Sequence, residues 1–448
     1  MTATAYSKAT TDEVIDLCSR LIRFDTQNFG GGESHGERAC AEWIAEQLSE
    51  VGYTPVVVES EPTRASTVVR IAGADPAADA LLVHGHIDVV PANAADWSVD
   101  PFGGEVIDGA IWGRGALDMK DMVAMMLAIA RSFARTGTIP PRDIVLAFVA
   151  DEEDTGDLGA GFLAREHADL LEGVRTAIGE SGGSTVHLPD GSRLYPIATG
   201  ERGSAWMNLT ARGIAGHGSR PSSDNAVATL VDALARLAAY DWPPSPPAPV
   251  RRLIDGLEAH LGVQIDIRDP ATLAKFGDAA RLVRPTLANS LNPTMLQAGY
   301  KHNVIPSEAV GGVDGRIVPG AEDEFFSVVD SICGSAITRD FANHSSPVSA
   351  DHDSAEFAAM ADALRTHDPE AVVLPFCMGG GTDAKQFSQL DIACYGFAPG
   401  RTPVGFNPDE YVHGVDEHVP VDSLVFGTQV LETYLRSQPG TMQEDDHR

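Results

Sequence analysis

Apolar residues recur at helical spacing between Thr11 and about Val51, in "VIDLCSRLIRF" and again in "ACAEWIAEQLSEVG". The pattern then shortens to the β-branched runs "TPVVVES" and "STVVRIAG", which read as strands. Further along, "ALLVHGHIDVV" reads as a buried strand, 121–137 as a helix, "DIVLAFVAD" (143–151) as a strand, 160–171 as a helix and "TAIGES" as a strand. Strands alternating with helices predict an α/β layer structure with a mostly parallel central sheet flanked by helices. In such sheets, binding groups gather where strands end and loops begin.

The texture changes near Gly200. "SAWMNLTARG" alternates with period two, "DNAVATLVDALARLAAY" is helical, "DWPPSPPAPV" is a proline-rich excursion, and "MLQAGYKHNVIPSEAVGGVDGRIVP" predicts two antiparallel strands before a helix near 321–334. From about 352 the chain returns to a helix, the strand "AVVLPFCMG", a helix and "IACYGFAP". The expected organisation is a first catalytic segment (1–199), an inserted α+β module (200–350) and a second catalytic segment (351–448), in line with roughly 100–200 residues per domain. The polar end, "SQPGTMQEDDHR", is expected to fray.

Charge narrows the function classes. Lys+Arg is 32 against Asp+Glu 64, a formal net charge of −32, which repels phosphate backbones and anionic lipid surfaces. Neither nucleic acid nor membrane is expected as a partner. The five cysteines are scattered without a CxxC pair, so neither a disulfide framework nor a thiolate zinc site is indicated. No secretory pattern opens the chain and no run approaches the roughly 20 apolar residues of a membrane span, so a cytoplasmic location is expected. The glycines of "IWGRGALDMKD" form neither GxxxxGK[ST] nor a GxGxxG between strand and helix, which argues against nucleotide use.

Five segments place carboxylates or imidazoles at the ends of predicted elements: "HGHID" (84–88), "GRGALDMKD" (113–121), "ADEED" (150–154), "IGESGG" (178–183) and "VHGVDEH" (412–418). Divalent metals of hard to borderline character take a few imidazole nitrogens and several carboxylate oxygens. Two such ions bridged by one carboxylate need about five ligands, and five segments can supply them. A metal explains why "HGHID" carries polar groups in a buried strand, since a ligating imidazole commonly donates its other N–H to a carboxylate. His84 and His86 lie two apart, on one face of the strand, so the residues alone do not choose between them.

The ordered set "HGHIDVVP", "IWGRGALDMKD", "ADEED", "GHGSRP", "GGGTDA" and "VHGVDEH" resembles the dinuclear zinc metallopeptidase family of aminoacylases, acetylornithine deacetylase, succinyl-diaminopimelate desuccinylase, glutamate carboxypeptidases and carnosine-type dipeptidases. The resemblance implies a zinc-peptidase-like catalytic domain with an inserted ferredoxin-like dimerisation or lid domain. It makes His86 a metal ligand and Asp88 its orienting partner, with Asp118 bridging two metals before a cis peptide to Met119. It also makes Glu153, Glu180 and His413 the remaining ligands and Glu152 the general base; Glu417 and His418 are expected only to decorate the last loop. Two Zn²⁺ per subunit are implied, with Co²⁺ or Mn²⁺ able to substitute.

By the same resemblance His217 reaches the active site of the other subunit of a homodimer and donates to the substrate carbonyl or its oxyanion. Arg202, Asn303, Arg316 and Thr382 are the implied substrate contacts, a guanidinium fork being suited to a carboxylate. The implied reaction is hydrolysis of an amide bond in a small peptide or N-acyl amino acid. The alternative is a catalytically silent member that binds metal or peptide, against which the intact set of ligands and Glu152 speaks.

Overall fold

The computed structural model describes residues 8–269 and 271–437. All of the polar C-terminal stretch beyond Ser437 therefore lies outside the described residues. The chain forms two compact units. One comprises the chain through Thr199, Ala350–Pro375 and the residues from Thr382 on, and the other comprises Gly200–Ser349 with Phe376–Gly381. The short segment Phe376–Gly381 thus groups with the middle of the chain, and not with the C-terminal stretch in which it lies.

The first unit is built on a large mixed sheet. Its strands include β1 (Val56–Glu61), β2 (Arg64–Ile71), β3 (Ala80–His86), β4 (Ile144–Val149), β5 (Val174–Gly179), β6 (Arg193–Glu201) and β7 (Ala393–Gly396). Their order is β6-β7-β5-β3-β4-β2-β1, and a short strand, Val186–His187, lies outside β6. The four central strands β7, β5, β3 and β4 run parallel, while β2 and β1 on one side and β6 on the other are antiparallel to their neighbours. Every residue of β3 and β4 is buried, as near-continuous apolar runs in parallel strands covered on both faces should be.

Register delivers the chemistry to one edge. His86 pairs with Val149 across the parallel ladder, and Val83 with Ile178, so β3, β4 and β5 release their next residues side by side. Those residues are His86–Asp88, Asp151–Glu153 and Glu180.

Helix Lys120–Thr136 packs against β3 and the helices Lys8–Ile22 and Val421–Leu435, and its stretch Met122–Ala130 is apolar without a break. A helix of that pattern belongs in a core, and Met122 through Ala130 and Phe133 are buried there. Truncating a ring such as Phe133 should cost about 3–5 kcal/mol. The helix stops at Gly137 (φ 67°), where Thr138 N–H reaches Phe133 O at 2.9 Å and closes a Schellman turn.

The second unit has a four-stranded antiparallel sheet in the order Ser290–Ala298, Glu308–Ile317, Gly203–Arg212, Ile337–Ser345. Along Gly203–Arg212 the period-two pattern buries Ala205, Met207, Leu209 and Ala211 and exposes Trp206. Helices Ala226–Ala238 and Glu322–Cys333 contribute Leu230, Leu234, Phe325 and Val329 to the same core. Gly315 lies under Phe325, whose ring would meet a Cβ there at 2.6 Å.

Three features depart from the sequence expectation. The proline-rich excursion ends in a helix, Ala248–Leu261, because Pro249 occupies its first turn, where a missing N–H leaves no intrahelical bond unmade. Strand Ile337–Ser345 and the hairpin Glu105–Ile107/Ala110–Trp112 carry no clear alternation over so few residues. The helix expected over 160–171 breaks at His167 into Ala160–Glu166 and a 3₁₀ turn, Ala168–Leu171. Among the described residues, no helix is long and apolar enough to cross a membrane.

Candidate functional site

At the end of β3, His86 is buried, and its Nδ1 lies 3.0 Å from the main-chain oxygen of Asp88 and 3.6 Å from the Asp88 carboxylate. A carbonyl can only accept, so Nδ1 donates and the neutral ring presents Nε2 as a lone pair. That nitrogen faces Asp118 Oδ1 at 3.0 Å and Glu180 Oε2 at 3.9 Å. Burial alone would depress the His86 pKa, but Asp118 and Asp88 draw it well above the usual value.

His84, the other imidazole of the strand, has different surroundings. It is buried against Phe387, with ring centroids 4.9 Å apart, and its Nε2 has no hydrogen-bond partner among the described residues. Burial, with His86 as a second cause, lowers its pKa to about 3. It is a neutral core ring.

Asp118 precedes helix Lys120–Thr136, and its peptide bond to Met119 is cis, as the resemblance implies. Its second oxygen lies 3.1 Å from Nε2 of His413, and that nitrogen is also 3.1 Å from Glu153 Oε2. These two carboxylates, Asp118 first, push the His413 pKa up to about 10. Donor atoms of His86, Asp118 and Glu180 fall within 4.8 Å of one another, and so do those of Asp118, Glu153 and His413. The two groups share Asp118.

The carboxylates crowd one another. Burial and then Glu180 push Glu152 well above the carboxylate range, while burial and then Asp118 do the same to Glu180. Burial raises Glu153 as well, against the pull of His413. Two imidazoles and four carboxylates in so small a volume hold more negative charge than the histidines offset, a donor set that fits divalent cations with nitrogen and oxygen ligands.

The loop after β4 that carries Glu152 and Glu153 is tied down from beneath. Asp88 accepts the backbone N–H of both residues at 3.1 Å and Asn28 Nδ2 at 3.0 Å. Asp151, at φ 72°, accepts Arg64 Nη2 at 2.8 Å, and Arg64 Nε reaches Glu37 at 2.9 Å. Asn28, Glu37, Arg64 and Asp151 are buried; Asp151 lies in the acidic segment 150–154, whereas Asn28, Glu37 and Arg64 stand in scattered segments that give no local signal.

Glu417 corrects an expectation. It does not decorate the last loop but is fully buried, accepting backbone N–H groups of Gly115, Leu117 and Asp118 and the guanidinium of Arg114. His418 is half-buried and stacks on Trp112 at 4.2 Å.

Thr382 is buried, and its Oγ1 accepts the N–H of Ala384 at 3.0 Å. In the second unit, Arg202 is buried and donates to Pro285 O at 2.9 Å and Arg316 O at 3.0 Å. Burial, then Arg316, lowers its pKa to about 10. Arg316 forks onto the Asp314 carboxylate at 2.8 and 3.1 Å. His217 and Asn303 are exposed neighbours: Gly216–His217 pairs with Val304–Ile305, and Gly218 N–H reaches Asn303 O at 2.9 Å. Ser219 N–H donates to His217 Nδ1 at 3.2 Å, so a neutral His217 carries its proton on Nε2.

A family model described as peptidase family M20/M25/M40 matches residues 82–437. The chain is 27% identical to the N-fatty-acyl-amino acid synthase/hydrolase PM20D1 of Mus musculus, covering 90% of this chain and 83% of the mouse protein. It is 27% identical to aminoacylase-1 of Sus scrofa, with 84% and 85% covered. Its fold is similar to that of the M20 family metallo-carboxypeptidase Sso-CP2 of Sulfolobus solfataricus, with a TM-score of 0.67 at 16% identity over 96% of this chain and 99% of the other. The family match runs from within β3 to the end of the last described helix, through every segment of the cluster, and the chain belongs to peptidase family M20/M25/M40.

Proposed function

We propose that this protein is a dinuclear-metal amidohydrolase cleaving the amide bond of an N-acyl amino acid or small peptide. The observation that carries the reading is the pair of three-residue donor groups meeting at Asp118. His86, Asp118 and Glu180 would hold one ion and Asp118, Glu153 and His413 the other. Two Zn²⁺ per subunit suit the nitrogen and oxygen donors, and Co²⁺ or Mn²⁺ can replace them. When bound, such a pair would polarise a carbonyl and ease the removal of a proton from water.

Glu152 is the proposed general base. Its carboxyl is buried among carboxylates that raise its affinity for a proton, so it can take a proton from the attacking water and pass it to the leaving amine nitrogen. His217, with its proton on Nε2, is the proposed donor to the developing oxyanion, from the partner subunit of a homodimer. Arg202, Arg316, Asn303 and Thr382 are the proposed contacts to the substrate, with a guanidinium meeting its carboxylate. The relatives named aminoacylase-1 and N-fatty-acyl-amino acid synthase/hydrolase support an N-acyl amino acid as the first substrate to test.

The test is a hydrolysis screen of zinc-loaded protein against N-acyl amino acids and dipeptides, run beside Glu152→Ala. Turnover should fall in the variant by about 10²–10⁴-fold while its zinc content stays at the wild-type level. Wild-type turnover in the variant would overturn the base. No hydrolysis of either class by zinc-loaded wild type would overturn the activity.

A further inference from the structure

The geometry points to Glu417, acting with Arg114, as a positioning residue that fixes Asp118 relative to His413 and so sets the affinity of the site for its two ions. The inference rests on the metal centre proposed above. A carboxylate is costly to bury unless it is paired, and Glu417 has no exposed surface. Both of its oxygens are engaged by one short stretch of chain. Oε1 accepts Leu117 N–H at 2.7 Å and Asp118 N–H at 3.1 Å, and Oε2 accepts Gly115 N–H at 3.0 Å and Arg114 Nη1 at 2.6 Å.

The main chain of the same segment closes the join from the other side. Gly113 N–H reaches Glu417 O at 2.9 Å, Arg114 Nη2 reaches Gly414 O at 2.8 Å, and Trp112 pairs with His418. Segment 112–118 is thereby stitched to segment 413–418, and each of these carries one residue of the shared donor groups, Asp118 and His413.

This arrangement does more than stabilise a loop, because one of the donors it takes is the N–H of Asp118 itself. The Asp118 carboxylate has one oxygen 3.0 Å from His86 and the other 3.1 Å from His413, so its setting is fixed by where its own main chain stands. Zinc–ligand distances tolerate deviations of about 0.2 Å. A shift of the main chain at Asp118 by a few tenths of an ångström would spoil both halves of the site together.

Glu417→Gln keeps the shape but replaces one acceptor oxygen with an NH₂ group that meets N–H donors. Zinc affinity, measured by chelator competition, should fall about 10–100-fold, and the rise in Tm on adding zinc should shrink. kcat should fall with KM unchanged, whereas a purely structural role would lower the Tm of the metal-free protein and leave zinc affinity alone. Wild-type zinc affinity in folded Glu417→Gln overturns the proposal while leaving the metal centre intact. Should that variant not fold, Arg114→Lys is decisive, because a single ammonium does not reproduce the fork that sends Nη1 to Glu417 and Nη2 to Gly414 O, and wild-type zinc affinity there overturns the proposal equally. If wild-type protein binds no zinc, the metal centre itself is wrong and the inference falls with it.

Discussion

The carboxylate of Asp88 accepts the backbone N–H of Glu152 at 3.1 Å, and its other oxygen accepts that of Glu153 at the same distance. The nearer contact of Asp88 to His86 is through its main-chain oxygen, at 3.0 Å. One residue at the end of β3 therefore sets the imidazole with its backbone and the acidic loop after β4 with its side chain. Asp88→Asn should keep the first and impair the second, since an amide offers one acceptor oxygen where two N–H groups wait. The expected outcome is a fall in kcat of about 10–100-fold with zinc affinity less affected. Wild-type kcat in folded Asp88→Asn would show that the loop is set without the Asp88 side chain.

Much of this was legible in the sequence, and for a physical reason. Parallel central strands are read by continuous apolar runs, so a polar residue at the end of such a run stands out, as His86, Glu152, Glu153 and Glu180 do. Asn28, Arg64 and Glu37 do not stand out, because their meaning lies in one another: a buried guanidinium between Glu37 and Asp151 looks in sequence like three unrelated surface charges. Glu417 is illegible for a similar reason, since a carboxylate in an acidic loop gives no sign that three backbone N–H groups converge on it. The bare pattern also left His84 and His86 equivalent. The structure separates them by what each ring faces, Phe387 for one and carboxylates for the other.

Removing metal should be felt as a loss of stability as well as of activity. Without cations, Glu152, Glu153 and Glu180 stand half-buried beside one another and hold their protons more tightly. Zinc at 100 times its Kd should stabilise the fold by about 2.7 kcal/mol, visible as a Tm that falls on chelation and returns on adding zinc. A Tm indifferent to chelator would contradict binding at this cluster.

Acid stability should depend in part on a site far along the sheet. Asp368 is buried and accepts Arg193 Nη2 at 2.6 Å and the Tyr195 hydroxyl at 2.8 Å. The Arg193 hydrogen bond holds its carboxyl below the ordinary value of 3.8, against burial and with help from Tyr195. The folded pKa lies below the unfolded one, so the contribution is fully present above the unfolded pKa. It is lost as pH falls through the folded value. Asp368→Asn should cost about 1–3 kcal/mol at neutral pH and flatten the acid limb of Tm against pH. An acid limb as steep as that of wild type would assign the effect to other carboxylates.

His217 gives the sharpest test of the proposed homodimer. His217 is exposed and its Nδ1 accepts from Ser219 N–H, so the neutral ring carries its proton on Nε2, the proposed donor to a partner's site. His217→Ala should lower kcat about 10²–10³-fold with zinc content unchanged. Mixed with Glu152→Ala, which lacks the proposed base but keeps the histidine, it should regain activity, because half of the active sites in a mixed dimer would carry both groups. A verified mixed dimer with no regained activity would place His217 outside the partner's site, and the fall in kcat would then have to arise within its own subunit.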